Sequence, residues 1–277
     1  MGEQRRRTLG NKEVLARSKR CVYCLNTVDL TIEHMPPRGM FNGDRPHGWI
    51  FACCDRCNQG TRGADAVAQF MAKLEVITRE GWKLKSNLTL RSAIEKYAPG
   101  VLAELFSSPW EGRLLDHNGL LHRTRMTRAN GSQTKHHLNL FAAKVAMATF
   151  HNSIDRPIDM EGLLYTEWHL NGGMSQEMYD ATTSIMPMFD QLQQGKKVSG
   201  SQFWLRFNTN QRDIVAATVS FHGSLHVTII ATDNPEFFDG LTSIYSKITG
   251  PNRPTINLVK PGLLDIALAD QSVLKRP

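Results

Sequence analysis

No stretch of this 277-residue chain is apolar for long enough to cross a membrane. Its first residues, Met1-Gly2-Glu3-Gln4-Arg5-Arg6-Arg7, are followed by no apolar run, so no secretory leader is expected. A phosphate-binding P-loop, a dinucleotide fingerprint and a Gly-x-Ser-x-Gly elbow are all missing, which argues against the nucleotide-dependent and serine-hydrolase classes they mark. Internal repeats and low-complexity tracts are missing too. Cysteine is scarce, five in all. An odd count does not suit a disulfide framework, so a reduced, cytoplasmic setting is expected. Acidic residues are outnumbered, with 26 Asp and Glu against 33 Lys and Arg, a formal charge of +7 and a pI near 9.3. That balance favours a polyanionic partner. The hydrophobic fraction of 41% in a chain of this length suffices for a real core and predicts two domains.

What cysteine there is sits in a pattern. Cys21-Val-Tyr-Cys24 and Cys54-Asp-Arg-Cys57 are two knuckles, each with the two-residue gap that lets two thiolates reach one ion in a tight turn. Together they supply the four sulfurs of a closed tetrahedral zinc site, with Cys53 outside the shell. A closed site holds structure and does no chemistry. The 29 residues from Leu25 to Cys53 exceed what a simple zinc ribbon needs, so the gap must carry structure of its own.

Patterning along the chain supplies it. A short helix is predicted from Glu13 to Arg20. Asp29-Leu30-Thr31-Ile32-Glu33-His34 reads as a strand that stops at Pro36-Pro37, and Trp49-Ile50-Phe51-Ala52 as a second. Val67, Phe70, Met71, Leu74 and Ile77 recur at three- and four-residue steps, predicting a helix from Ala64 to Glu80. Strand, loop, strand and helix, stapled by zinc, make a ββα unit. Residues 1–20 carry seven cations against two anions, as suits either a phosphate-contacting arm or a solvated tail.

The run Cys21 to Cys24, then Leu30-Thr31-Ile32-Glu33-His34-Met35-Pro36-Pro37, then Cys54 to Asn58 resembles the zinc-knuckle branch of the HNH endonucleases, over residues 21 to about 75. The resemblance implies a ββα-metal fold that hydrolyses phosphodiester bonds with one divalent metal, Mg²⁺ or Mn²⁺. By position, His34 would be the general base that activates water, while Glu33 and Asn58 would hold that metal. Where many members carry a middle asparagine that orients the histidine, this chain reads His47-Gly48-Trp49. The residues alone also allow a different reading. Glu33 and His34 suit a salt bridge that supports the knuckles without catalysis, and Asn58 suits a helix N-cap.

Beyond residue 80 a helical pattern runs from Ala93 to Phe106, broken at Pro99-Gly100. Asn118-Gly119 predicts a hairpin turn between Arg113–His117 and Leu120–Arg125. Arg123, Arg125, Arg128, Lys135, His136 and His137 form a basic stretch, either a phosphate-contact surface or a solvated face. His137 to Phe150 predicts a buried helix, with Lys144 snorkelling to the surface. Gly195 to Gly200 reads as a loop. Phe203–Phe207, Ile214–Phe221 and Leu225–Ala231 predict antiparallel strands, the last two joined at His222-Gly223.

The expectation is an α+β protein: a basic arm (1–20), a zinc-stapled ββα-metal module (21–80) and a mixed helix and antiparallel-strand domain of unassigned role (81–277). Its expected function is metal-dependent cleavage of double-stranded DNA, with Arg5, Arg6, Arg7, Arg38, Arg123, Arg125 and Arg128 as nucleic-acid contacts and no membrane partner. The alternatives are a nucleic-acid-binding zinc module without catalysis and an assembly protein of a phage or defence system. A homo-oligomer, or a protein partner from such a system, stays open.

Overall fold

The computed structural model describes residues 2–43, 46, 48–74, 85–115, 120–126, 129–170, 176–194, 197–238, 258–259 and 261. The chain is mixed α+β with antiparallel sheets. Helix α1 spans Gly2–Arg17, longer than predicted because Arg, Lys, Glu and Leu all favour helix and Glu13 pairs with Arg17 one turn on. Strands β1 (Leu30–Met35) and β2 (Trp49–Cys54) form an antiparallel hairpin in which Glu33 faces Phe51 and His34 faces Ile50. Helices α2 (Asp55–Gly60) and α3 (Arg62–Lys73) follow, with Thr61 between them. The predicted continuation of α3 to Glu80 lies outside the described residues.

Helices α4 (Lys85–Tyr97) and α5 (Val101–Phe106) break at the expected Pro99-Gly100, where Gly100 takes a left-handed φ of 91°. Strands β3 (Trp110–Leu115) and β4 (Leu121–Met126) pair as predicted, and the Asn118-Gly119 turn lies outside the described residues. The long helix α6 (Ser132–Ile154) follows, then β5 (Leu163–Leu170), α7 (Gln176–Ile185) and β6 (Met188–Asp190). Short strands β7 (Gln193–Gln194) and β8 (Lys197–Val198) pair with each other, and β8 falls inside the Gly195 to Gly200 stretch read as a loop. Strands β9 (Phe203–Thr209), β10 (Ile214–Phe221), β11 (Leu225–Thr232) and β12 (Leu258–Val259) complete a six-stranded sheet ordered β12-β5-β11-β10-β9-β6. His222-Gly223 turns β10 into β11 with both residues at positive φ, as glycine tolerates and histidine only locally.

Alternation along the sheet strands puts Phe203, Leu205, Val215, Ala217, Val219, Phe221, Leu225, Val227, Ile229 and Ala231 on one fully buried face. Helix α6 lies on that face, with Phe141 5.4 Å from the Phe221 ring, and α3 packs against α6. Flanked on two sides, α6 is buried nearly all round, so its apolar residues form no single stripe. Glu104 on α5 accepts from the backbone N–H of Gln133 (3.1 Å) and of Thr134 (2.8 Å), capping α6 from outside its own sequence. At Gly63, α3 packs closely against Tyr97 and His137. A Cβ there would lie 2.4 Å from the Tyr97 carbonyl and 2.8 Å from the His137 ring. The buried side chains of the cysteine-bearing hairpin and of the sheet join in one hydrophobic cluster.

His137, on α6 beneath that contact, is 6% exposed, and burial followed by the neighbouring His136 pushes it down to about 4. A folded value below the unfolded one means that the unfolded chain takes up the proton first as pH falls. Stability from this group is therefore complete above about pH 6.5 and declines toward pH 4. Urea unfolding at pH 7 and pH 5 should show a loss of about 2 kcal/mol from His137 alone. His137→Gln should remove that part of the difference.

Candidate metal centre and the hairpin beside it

The first knuckle is a tight turn: Cys21 N–H donates to the Asn26 carbonyl (2.7 Å) and Leu25 N–H to the Cys21 carbonyl (3.0 Å), with Leu25 at φ 59°. Val22 N–H binds the Ala52 carbonyl at 2.9 Å and so ties the turn to β2. The second knuckle is the end of β2 and the first turn of α2. This brings the Sγ atoms of Cys21, Cys24, Cys54 and Cys57 within 4.8 Å of one another, with Cys24 and Cys54 3.6 Å apart. A tetrathiolate zinc site needs sulfurs about 3.8 Å apart, from Zn–S bonds of about 2.3 Å. The four are therefore placed to hold a metal ion, consistent with structural zinc. Cys53 Sγ lies 3.9 Å from Cys21 Sγ and donates to the Cys54 carbonyl, outside the four.

Between the knuckles, β1 sends Glu33 and His34 to opposite sides of the hairpin. Glu33 is 4% exposed and points inward. Its Oε1 meets the Lys144 ammonium at 3.0 Å and receives the Tyr23 hydroxyl at 3.4 Å. Lys144 does not snorkel, contrary to the expectation from sequence. It is 0% exposed because α6 is covered on two sides and leaves its side chain no route to water. Its Nζ also donates to both carboxylate oxygens of Asp65 on α3, at 2.7 and 2.8 Å. Those carboxylates hold Lys144 well above the usual lysine range against the pull of burial. Asp65 is pushed up to about 6 by burial, with Lys144 opposing.

The divalent metal implied by the resemblance does not fit this arrangement. Glu33 and Asp65 already share an ammonium, and Glu33 faces away from His34. Among the described residues no set of three or more His, Cys, Asp or Glu side chains other than the four cysteines converges on a common point. Asn58 lies inside α2, whose N-cap is Cys54, so the predicted capping role does not hold. Its Nδ2 donates to Thr31 Oγ1 at 3.0 Å and to the Ile32 carbonyl at 3.4 Å, which fastens α2 to β1.

His34 occupies the other side of β1. Its Nε2 lies 2.8 Å from Nη2 of the exposed Arg38, and because a guanidinium only donates, that nitrogen is the acceptor of a neutral imidazole. The loop carrying Arg38 is anchored along its length. Lys73 Nζ donates to the Gly39 carbonyl (2.8 Å), the His222 ring bonds the Met40 carbonyl, and Asn42 N–H donates to Gln202 (2.7 Å). Helix α1 lies against both hairpin strands, which puts the backbone of Arg5, Arg6 and Arg7 on an element that touches this unit. Arg123 is exposed on β4. His47, Arg128 and the side chains of Arg5, Arg6, Arg7 and Arg125 lie outside the described residues.

Reading the sequence missed the roles of Tyr23, Asp65 and Lys144. One signal was present: Lys144 is the only Lys, Arg, Asp or Glu from Leu138 to Ile154, and a lone charge in so apolar a helix demands a buried partner. Its partners come from segments 79 and 111 residues away, and periodicity carries no such information.

Elemental analysis of the purified protein should find one zinc per chain. Chelation, or Cys54→Ser, should lower the melting temperature, since metal bound only by the folded arrangement of the four thiols contributes its binding free energy to folding. Zinc-free protein melting at the same temperature would contradict the assignment. Comparison with protein-family models, with curated proteins and with solved structures finds no match for this chain, so its function is argued from these residues.

Proposed function

We propose that the protein binds nucleic acid through a zinc-stapled ββα module and cleaves the phosphodiester backbone at His34. The observation that carries this reading is the 2.8 Å contact between His34 Nε2 and the Arg38 guanidinium, on the side of β1 away from the buried acids, in which the ring nitrogen can only accept. A neutral imidazole is the form that a general base requires. In the proposed step a water proton passes to His34 Nε2 while the water oxygen bonds to phosphorus. The bond from phosphorus to the departing sugar oxygen breaks, and that oxygen takes a proton from solvent. Arg38, which holds His34 Nε2 in the free protein, would turn to the non-bridging phosphate oxygens and offset their growing charge. The order hairpin then helix and the four placed thiols support the ββα assignment, and the excess of Lys and Arg supports a polyanionic partner.

A second reading, nucleic-acid binding without catalysis, is favoured by one observation. Glu33, expected to ligate the divalent metal, is committed to Lys144 instead.

Plasmid nicking with Mg²⁺, with Mn²⁺ and with EDTA separates the two. Cleavage by the wild type should fall roughly 10²–10⁴-fold in His34→Ala, the usual scale for a lost general base, with duplex affinity nearly unchanged. Arg38→Ala should lower both affinity and rate. Equal rates for wild type and His34→Ala would refute the catalytic reading, and binding without cleavage under every metal condition would establish the second.

A further inference from the structure

The side chains of Glu33, Asp65 and Lys144 arrive from β1, α3 and α6 and meet where Lys144 is fully buried, Glu33 nearly so and Asp65 partly exposed. Three carboxylate oxygens surround one positive atom: Glu33 Oε1 at 3.0 Å and Asp65 Oδ1 and Oδ2 at 2.7 and 2.8 Å. Hard oxygens from two acids around a compact cation are the donor set that Mg²⁺, Mn²⁺ or Ca²⁺ attracts. Here the distances suit ammonium hydrogen bonds, since Mg²⁺ would need about 2.1 Å and Ca²⁺ about 2.3–2.6 Å.

We infer that Lys144 is a resident cation, holding the acidic site between Glu33 and Asp65 in place of a divalent metal. The site thereby stays filled whatever the metal supply, and β1 is held in register from its buried side while His34 faces out. Tyr23 supports this arrangement, its ring 5.6 Å from the Lys144 ammonium and its hydroxyl donating to Glu33. The cation comes from α6, so the segment that had no assigned role completes the hairpin unit. This inference goes beyond the proposed cleavage and does not depend on it, because metal occupancy at the acids and nicking at His34 are read separately.

The experiment uses full-length, zinc-loaded protein and Mn²⁺ as the probe, followed by its electron paramagnetic resonance signal and by thermal unfolding. Wild type should show no bound Mn²⁺ that Glu33→Gln removes, and its melting temperature should not depend on Mn²⁺. Lys144→Ala should melt several degrees lower than wild type when no Mn²⁺ is added, bind one Mn²⁺ and recover part of that loss. Adding Glu33→Gln to Lys144→Ala should abolish both the binding and the recovery. Lys144→Arg, which keeps a cation, should remain insensitive to Mn²⁺. Mn²⁺ bound to the wild type and lost in Glu33→Gln would overturn the inference. So would a folded Lys144→Ala protein that neither binds Mn²⁺ nor gains stability from it. Should Lys144→Ala fail to fold, the wild type beside Glu33→Gln still decides, since only an acid pair open to metal gives Mn²⁺ binding that Glu33→Gln removes.

Discussion

The Lys144 ammonium, buried between Glu33 and Asp65, is the interaction on which the arrangement of the chain depends. The charges of Lys144 and Glu33 would be costly alone in the interior, and removal of one partner from such a buried pair typically costs about 3–5 kcal/mol. The cluster therefore forms only when β1, α3 and α6 are all in place. It ties the cysteine-bearing hairpin to the helix that lies on the six-stranded sheet, and it makes one cooperative unit of segments far apart in sequence. Tyr23 extends that unit to the first knuckle, so the candidate metal centre and the buried charges share a wall.

Two restraints thus act on β1 from different directions. The four thiols fix the ends of the segment that contains it, and the Lys144 cluster holds its inward side. Alternation in the strand does the rest. With Glu33 held inside, His34 must face the other way, and the loop from Arg38 to Asn42 is fastened to α3 and to the β10–β11 turn. The fixed hairpin presents His34 and Arg38 together, the pair on which the proposed cleavage rests.

Local patterns disclosed much of this and left one class of feature hidden. The two-residue cysteine gaps, the strand ending at Pro36-Pro37, the break at Pro99-Gly100 and the β9–β11 strands each follow from spacing or from a residue that cannot continue an element. The length of α6 and the whole of β5 did not show, because a helix buried on several sides has no stripe and β5 takes its place from pairing with β11. Glu33 illustrates the limit most clearly. The family resemblance suggested a metal ligand, yet its partner is a lysine 111 residues later that looked like a surface group. Long-range charge pairing depends on the tertiary fold, which neither periodicity nor motif spacing encodes.

Anomalous diffraction at the zinc and manganese edges, from one crystal of the protein grown with zinc and soaked in Mn²⁺, tests this account most directly. It predicts a zinc peak centred among the Sγ atoms of Cys21, Cys24, Cys54 and Cys57, and no manganese peak between Glu33 and Asp65, where Lys144 should remain. A manganese peak within about 2.2 Å of a Glu33 oxygen, with Lys144 turned away, would contradict it.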